Sequence, residues 1–224
     1  MVELVVVIAM TAILSALLLP ALSSAKEKSR RAVCKSNMRQ DYFVCQYYAD
    51  DNADVLPSAA DNMGNYHSIC LSSQNFTNLV ADYAGGSSNI FYCPNLVFNA
   101  APNTFASNDY GYIIGYSYLA DNVMTTAKGA DSTLMPVKLS AASATNALLA
   151  DANYWIPGQS ALAPHTAMGA AMAQTSTAHA ATNSVGLGAM GGNIELYDGS
   201  VNWRTISSMQ THSASSANDA YDNW

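Results

Sequence analysis

The feature that most constrains this chain is a long apolar run at its N-terminus. Residues 2–22 read VELVVVIAMTAILSALLLPAL, in which Glu3 is the one charge and Thr11 and Ser15 are the hydroxyls. About 20 apolar residues at a rise of ~1.5 Å cross a hydrocarbon core of ~30 Å, so the run predicts a transmembrane helix. A cleaved signal peptide would carry its basic residues before a shorter run, whereas here the basic residues follow it.

The helix is predicted to continue beyond the apolar run. No Gly or Pro occurs in residues 23–52. Apolar side chains recur there at spacings of three and four, at Cys34, Met38, Tyr42, Cys45 and Ala49. This pattern is typical of an amphipathic helix that packs one face on a β-sheet, and Asp50, Asp51, Asn52 and Pro57 end it.

The chain is therefore divided into two predicted regions. An N-terminal helix occupies residues 1–52, with an apolar transmembrane half at 1–22 and an amphipathic half at 23–52. A β-rich globular head occupies residues 53–224. At 224 residues, the chain has room for such a helix and one sizeable domain.

Charge is distributed unevenly along the chain. Of the nine basic residues, most follow the apolar run directly: Lys26, Lys28, Arg30, Arg31, Lys35 and Arg39. Basic residues at that position would meet lipid headgroups. The rest of the chain carries only three basic residues but 14 of the 16 acidic ones. Because an acidic head disfavours contact with a phosphate backbone, no nucleic-acid partner is expected.

The head is predicted to be mostly β, with one short helix over Gln74–Tyr83 that ends at Gly85 and Gly86. Strands are predicted at Tyr110–Leu119, Leu134–Leu139, Ala147–Ala150, Asn193–Tyr197 and Ser200–Ile206. Asp198-Gly199 between the last two predicts a two-residue type I′ hairpin. Residues 157–192 show no clean period and are expected to form a long ordered loop, and the polar tail, 207–224, is expected to pack weakly.

The N-terminal segment resembles that of type IV pilins and type II secretion pseudopilins. Residues 2–40 carry the resemblance, with Glu3 and Pro20 at the family's spacing. The chain is most similar to the bacterial group with a prepilin-type cleavage and methylation signature and a large β-rich head. Further segments that resemble this group are YADDNADVLP (48–57), FYCP (91–94) and GGNIELYDGSVNW (191–203). Gly188 stands where the head signature often has a His, so no role of that His is carried over.

The resemblance implies a pilin-like α+β fold, in which a long N-terminal helix packs against an antiparallel β-sheet head. It implies no enzymatic activity and no cofactor. The expected function is that of a structural subunit of an extracellular filament, held in the inner membrane before pilus or secretion machinery assembles it with copies of itself. Glu3 is expected to pair with a neighbour's N-terminal amine, a group that this family methylates, and Pro20 to kink the helix.

Two alternatives to a filament subunit remain open at this point. One is a minor pseudopilin of a type II secretion-like system, and the other is a monomeric membrane-anchored binding domain. The location of the head also has two interpretations. The basic stretch after the apolar run would place the head in the cytoplasm by the positive-inside rule, whereas the resemblance places it outside. We follow the resemblance, which the cysteines and a polar head with few charged residues favour.

The four cysteines are Cys34, Cys45, Cys70 and Cys93, and an even number favours disulfides in an exported protein. Eleven residues along a helix span ~16 Å, so Cys34 and Cys45 are too far apart to bridge each other. Cys34 and Cys93 lie in segments that resemble the family, which favours Cys34–Cys93 together with Cys45–Cys70. The main alternative pairs Cys70 with Cys93 and leaves two buried helix thiols.

The remaining motifs indicate no catalytic, cofactor or metal site. The histidines, His67, His165, His179 and His212, lack metal-ligand spacing. The pattern Gly186-x-Gly188-x-x-Gly191 matches a dinucleotide fingerprint only formally, because a strand and not a helix is predicted after it.

Two surface motifs have specific interpretations. The cluster Asp50, Asp51, Asn52 and Asp54 could bind calcium, but it departs from the EF-hand pattern and a solvated helix end is favoured. Asn75-Phe76-Thr77 is a glycosylation sequon, which makes Asn75 a candidate acceptor.

Overall fold

The structure is a computed structural model that describes residues 2–96, 110–120, 136–174, 183–216 and 219–224. It has two α-helices in these ranges, α1 (Val2–Asp51) and α2 (Ser73–Asn78). The strands are β1 (Cys70–Leu71), β2 (Tyr112–Ile113), β3 (Tyr116–Tyr118), β4 (Ala147–Asp151), β5 (Tyr154–Ile156), β6 (Ser160–Thr166), β7 (Gly169–Gln174), β8 (Gly191–Leu196), β9 (Val201–Thr205), β10 (Thr211–Ser213) and β11 (Tyr221–Asn223). The predicted α+β class, a long N-terminal helix with antiparallel sheets, is confirmed.

The two halves of α1 have opposite environments. All described residues from 2 to 26 are exposed. Further along, a stripe of side chains at helical spacing is buried against the head: Glu27, Cys34, Met38, Asp41, Val44, Cys45 and Ala49. The apolar half is long and apolar enough to cross a membrane, and the amphipathic half is part of the core.

Within the described ranges, the strands form three antiparallel sheets. A four-stranded sheet, in the order β3-β4-β8-β9, packs against the amphipathic half of α1. A five-stranded sheet has the order β10-β11-β5-β6-β7, and β1 pairs with β2. Most buried side chains belong to one continuous core that includes α1 residues and both larger sheets.

Several elements lie where the sequence predicts them. The predicted strands at Ala147–Ala150, Asn193–Tyr197 and Ser200–Ile206 correspond to β4, β8 and β9. The predicted helix over Gln74–Tyr83 corresponds to α2 and the π-helical turn Leu79–Tyr83 that continues it. Ser72 caps α2, because its hydroxyl accepts a hydrogen bond from the Asn75 N–H.

The predicted strand Tyr110–Leu119 is instead two short strands, β2 and β3, separated at Gly115. The Gly115 N–H donates to Phe91 O over 2.8 Å, so this residue bonds outside both strands. A Cβ at this position would overlap the backbone of Cys93. The close approach of a second chain segment therefore requires glycine here and interrupts the strand.

The turn at Asp198-Gly199 is a hairpin, but the predicted type I′ geometry is wrong. Type I′ requires a positive φ at both central residues, and of these two only Gly199 has one, at +77°. The Gly199 N–H donates to Leu196 O over 2.9 Å, and the next ladder pair is Glu195 with Val201. The loop is therefore one residue longer than the predicted two-residue loop, and it consists of a turn followed by Gly199 in the left-handed conformation.

The expectation of a long loop over 157–192 is wrong. This stretch contains β6, β7 and the start of β8. Consecutive residues 161–166 of β6 are buried, so both faces of the strand are covered. A strand that is covered on both faces shows no alternation of apolar and polar residues, which is why the period was absent. Residues 175–182, with His179, lie outside the described residues.

The tail is also packed more firmly than predicted. Strand β11 lies between β10 and β5, and Asp222, Asn223 and Trp224 are buried. The Asp222 carboxylate accepts hydrogen bonds from the hydroxyls of Ser68 and Ser117, so the polar sequence is buried with partners.

The predicted strand Leu134–Leu139 lies partly outside the described residues. Its described part, 136–139, makes an isolated bridge between Lys138 and Val55 and enters the 3-10 turn Leu139–Ala141. The Leu139 N–H donates to Asp54 O over 3.0 Å, so this segment is anchored to the chain just after α1.

Candidate functional site

The apolar half of α1 is the first candidate site, and it contains Glu3 and Pro20. Both residues are exposed, and apolar side chains project on all sides of this half, with Val2 77% exposed and Leu17 70% exposed. Helix α1 is continuous through Pro20, and the Ser23 hydroxyl donates to Pro20 O over 3.0 Å. The predicted kink at Pro20 and the predicted partner of Glu3 stay predictions.

A second candidate site is a buried cluster of four potential metal ligands. Cys34, Cys93, Asp151 and His165 have no exposed surface, and their donor atoms all lie within 4.8 Å of one another. Helix α1 supplies Cys34, and Cys93 follows the 3-10 turn Asn89–Phe91. Asp151 ends β4 and His165 lies in β6, so the cluster joins four elements that are distant in sequence.

The contacts within this cluster form a continuous chain. Cys34 Sγ lies 3.0 Å from Cys93 Sγ, and Cys93 Sγ lies 3.8 Å from His165 Nε2. His165 Nε2 in turn lies 3.2 Å from Asp151 Oδ2. Two thiols, an imidazole nitrogen and a carboxylate therefore converge on one point in the core.

All four cysteines are buried, and none of them is in a disulfide in this structure. The 3.0 Å between the sulfurs of Cys34 and Cys93 exceeds the ~2.05 Å of a covalent S–S bond. The predicted Cys34–Cys93 and Cys45–Cys70 disulfides, and the alternative Cys70–Cys93, stay predictions. Cys45 and Cys70 do not belong to the four-residue cluster.

Backbone contacts fix the position of Cys93. The Asn37 amide of α1 donates to Tyr92 O over 3.0 Å, and the Tyr116 hydroxyl donates to the same oxygen over 3.1 Å. The Leu96 N–H donates to Cys93 O over 3.0 Å. Together with the glycine at 115, these bonds bring Cys93 against the buried face of α1.

Asp151 is oriented by Asn193 of β8. The Asn193 backbone N–H and side-chain amide donate to Asp151 Oδ2 over 2.6 Å and 3.0 Å. The other oxygen, Oδ1, is buried and has no hydrogen-bond partner among the described residues. An unpaired carboxylate oxygen in the core is costly, so this atom requires an explanation.

His165 is oriented by Glu27 of α1. His165 Nδ1 lies 2.7 Å from Glu27 Oε1, and because a carboxylate only accepts, Nδ1 is the donor. Arg31 Nε donates to Glu27 Oε1 over 2.9 Å, and the Asn95 amide donates to Oε2 over 2.8 Å. The Arg31 guanidinium also lies over the Trp203 ring, 3.9 Å from its centroid.

The electrostatics of this network favour charged groups in the protein interior. Burial raises the pKa of Glu27, but hydrogen bonds from His165, Arg31 and Asn95 outweigh it and lower the pKa to about 2. Burial lowers the pKa of His165, whereas the charge and hydrogen bonds of Asp151, with Cys93 and Glu27, raise it to about 12.

The two thiols of the cluster differ. Burial and the hydrogen bond to Cys93 raise the pKa of Cys34. Burial also opposes ionisation of Cys93, but its hydrogen bonds with Cys34 and His165 lower its pKa to about 7. Cys93 is therefore the more readily ionised of the two.

A third feature is a buried pair of acids, Asp41 on α1 and Glu195 on β8. None of their four carboxylate oxygens has a hydrogen-bond partner within the described parts of the chain. Burial raises the pKa of Asp41 well above its usual range. Burial and the charge of Asp41 raise the pKa of Glu195 to about 10, although Arg39 acts in the opposite direction.

The remaining predicted site residues lie apart from the cluster. The Asp54 carboxylate accepts from the Ser140 N–H and hydroxyl, so it takes part in a loop contact. The Asn75 side-chain nitrogen, which would carry a glycan, donates to Ser58 O over 3.1 Å. His67 lies 3.4 Å from Asp61, and His212 stacks on Trp224.

An apolar cleft of about 340 Å³ lies beside the five-stranded sheet. Its lining includes Ile69, Tyr110, Tyr154, Leu162 and Met172. The volume is at the low end of the ~300–1,000 Å³ that is usual for small-molecule sites.

The four-residue cluster is not predicted from the sequence, in which the cysteines are assigned to disulfides and the histidines lack metal-ligand spacing. Asp151 was outside the predicted strands, and His165 lies in a stretch that was expected to be a loop. One available signal was the lone His165 in a run of small apolar residues, ALAPHTA, because a buried histidine needs polar partners.

Comparison with known proteins adds no constraint on the function of these sites. The chain matches no protein-family model, no curated protein and no solved structure.

Proposed function

We propose that this chain is a structural subunit of an extracellular type IV pilus-like filament, assembled through the apolar half of α1. The observation that carries the proposal is the contrast between the two halves of one helix. The amphipathic half is buried in the head, whereas the apolar half projects from it with no residue buried from 2 to 26. Such an apolar surface requires a cover that the described part of the chain does not supply.

Lipid and copies of the same helix can cover this surface in turn. Before assembly, the apolar half spans the inner membrane, because its length and composition suit a bilayer. In the filament, the same surface packs against the apolar halves of neighbouring copies, and the heads surround this core. Burial stabilises the filament by ~25 cal/mol per Å² wherever apolar surface leaves water, and by close packing where it leaves lipid.

Glu3 sets the register between neighbouring subunits in this proposal. An unpaired acidic side chain among apolar helices costs ~3 kcal/mol on insertion scales. A neighbour's N-terminal amine offsets that cost only when the two helices are staggered correctly. Only 11% of the residues in the chain are charged. This low content of charged residues limits repulsion between the heads of packed copies.

The test is replacement of Glu3 by Leu, followed by electron microscopy of material sheared from cells. We expect fibres of this chain from the wild type and at least a tenfold loss of fibres from Glu3→Leu, because the pairing that sets register is gone. The head should stay folded, as measured by circular dichroism of the membrane-extracted protein. Asp51→Leu, which replaces an exposed acid at the other end of the same helix, is the matched control and should form normal fibres.

The outcomes separate the proposed function from its alternatives. Normal fibres from Glu3→Leu would contradict the register role. Wild-type chain that stays in the membrane fraction without fibres would favour a minor pseudopilin or a monomeric anchored domain. The cleft beside the five-stranded sheet is the observation that favours a monomeric anchored binding domain. Binding of small apolar molecules in this cleft would support that alternative.

A further inference from the structure

We propose that Cys34, Cys93, Asp151 and His165 form a structural zinc site that fastens α1 to the head. The inference goes beyond the proposed filament function and holds equally for a monomeric anchored domain. It rests on the convergence of four ligand-bearing side chains, all without exposed surface, whose donor atoms lie within 4.8 Å of one another.

The ligand chemistry selects zinc. Two thiolates and an imidazole suit a borderline-soft ion, whereas calcium and magnesium take oxygen ligands. Ligands at ~2.0–2.3 Å from a tetrahedral zinc ion lie ~3.3–3.8 Å from one another. Three contacts here are near that spacing: 3.0 Å between the two sulfurs, 3.8 Å from Cys93 Sγ to His165 Nε2 and 3.2 Å from His165 Nε2 to Asp151 Oδ2. All four donor atoms lie within 4.8 Å of one another, so the widest pair closes by about 1 Å on binding. Four protein ligands complete a tetrahedral shell and leave no position for substrate, which is the arrangement of a structural site.

The residues around the cluster match the outer shell that zinc sites use. A histidine ligand usually donates its second ring N–H to a carboxylate, which fixes the tautomer and directs the other nitrogen to the metal. Here His165 Nδ1 donates to Glu27 over 2.7 Å, and Nε2 faces Cys93 and Asp151. Glu27 is held in turn by Arg31 and Asn95.

A bound zinc ion accounts for two further observations. Asp151 Oδ1 is a buried carboxylate oxygen without a hydrogen-bond partner in the described ranges, and a metal would satisfy it. The sulfurs of Cys34 and Cys93 lie 3.0 Å apart in the core without a disulfide between them, and a shared ion would hold them there as thiolates. Binding is not a redox step: the thiol protons leave to solvent as the Zn–S bonds form.

Two metal-free interpretations compete with this proposal. One is a disulfide between Cys34 and Cys93, which oxidation would form with loss of two hydrogens. The other is an imidazolium of His165 held between Glu27 and Asp151, which would need neither thiol. Zinc binding requires both thiols and His165, the disulfide requires only the two thiols, and the imidazolium requires neither thiol. Substitution of single residues therefore distinguishes the three interpretations.

The first measurement is the metal content of the full chain, extracted from membranes in mild detergent without chelator or affinity tag. We expect about one zinc per chain in the wild type, and a loss of at least tenfold in Cys34→Ser, Cys93→Ser and His165→Asn. Cys45→Ser and Cys70→Ser are matched controls, because both replace buried cysteines outside the cluster, and they should retain zinc. Glu27→Gln should weaken zinc binding ~10–100-fold and retain the site.

A second measurement keeps the proposal testable if a ligand variant fails to fold. Cobalt exchanged into the wild-type chain should produce the absorption of a tetrahedral thiolate site, and added Zn²⁺ should remove that absorption. Four results would overturn the proposal: a Cys34–Cys93 disulfide in the extracted protein by peptide mass, no zinc in the wild type and no uptake of added Zn²⁺, zinc retained by Cys34→Ser, or another metal at this site in place of zinc.

Discussion

At the residue scale, the core contains acids that ordinary packing would exclude. Asp41 on α1 and Glu195 on β8 are both buried, and none of their carboxylate oxygens has a hydrogen-bond partner among the described residues. Burial raises the pKa of both carboxyl groups, because ionisation would place an unpaired charge in the core, so folding favours their protonated forms. We therefore expect this pair to make the stability of the head depend on pH.

The direction of that dependence follows from the pKa of Glu195. Its folded-state pKa of about 10 lies above the ordinary value of 4.5, so between these pH values the folded protein holds a proton that the unfolded chain has lost. The contribution of this proton to stability is complete below pH 4.5, declines as pH rises, and is lost above pH 10. Asp41 adds to this trend, and Arg39 opposes it.

We predict that Glu195→Gln raises the free energy of unfolding at pH 8 by more than about 1 kcal/mol, because glutamine stays neutral. Near pH 4 the variant and the wild type should be equally stable. Thermal unfolding across this pH range is the measurement. Asp50→Asn, an exposed acid on α1, is the control and should keep the wild-type profile. Parallel profiles for the wild type and Glu195→Gln would contradict the prediction.

The four-residue cluster could not be predicted, because its ligands come from four different parts of the fold. No spacing rule joins Cys34 to Asp151 or His165. Cys34 lies on the buried stripe that periodicity does predict, so one ligand was placed correctly on its helix face. The convergence of the other three depends on sheet topology, which local pattern does not specify.

At the scale of single elements, α1 is one continuous helix whose two halves have different surfaces and different surroundings. Its predicted extent and its change from apolar to amphipathic follow directly from the sequence, because each half has its own distribution of apolar residues. Strands β4, β8 and β9 were also predictable. Strands β6 and β7 were not, since small residues that are covered on both faces leave no period to detect.

We predict that deletion of residues 2–22 leaves the head folded with an unchanged melting temperature and makes the protein soluble without detergent. The physical reason is that no side chain in this stretch is buried. A longer deletion, through residue 38, is the control and should unfold the head, because it removes Glu27, Cys34 and Met38 from the core. Circular dichroism melting of both proteins is the measurement, and an unfolded head in the shorter deletion would contradict the prediction.

At the scale of the whole molecule, polar and apolar surfaces are segregated by region. The projecting helix is apolar, the segment where it enters the head is basic, and the head beyond Arg39 is acidic. Residues 1–39 carry a net charge of +4 and residues 40–224 a net charge of −11, which together give the net charge of −7. This division suits a protein whose two ends meet different surroundings, lipid or other helices at one end and water at the other.

We predict that Leu14→Lys reduces retention of the chain in the membrane fraction, because a lysine near the centre of a spanning helix costs ~2.5–3.5 kcal/mol. Phe43→Lys places the same charge at an exposed position on the amphipathic half of α1 and serves as the control. Cell fractionation with detection of the intact head is the measurement. Equal membrane retention of Leu14→Lys and the wild type would contradict the prediction.

The network at Glu27 has a mechanical consequence, because it lies where α1 leaves the head. The 25 exposed residues beyond it, 2–26, form a lever of about 37 Å at ~1.5 Å per residue. A tilt of ~5° at the fulcrum would move the far end by about 3 Å, more than half of one helical turn of ~5.4 Å. The stiffness of the contacts among Glu27, Arg31 and His165 thus limits how far the N-terminal end of α1, with Glu3, can be displaced relative to the head.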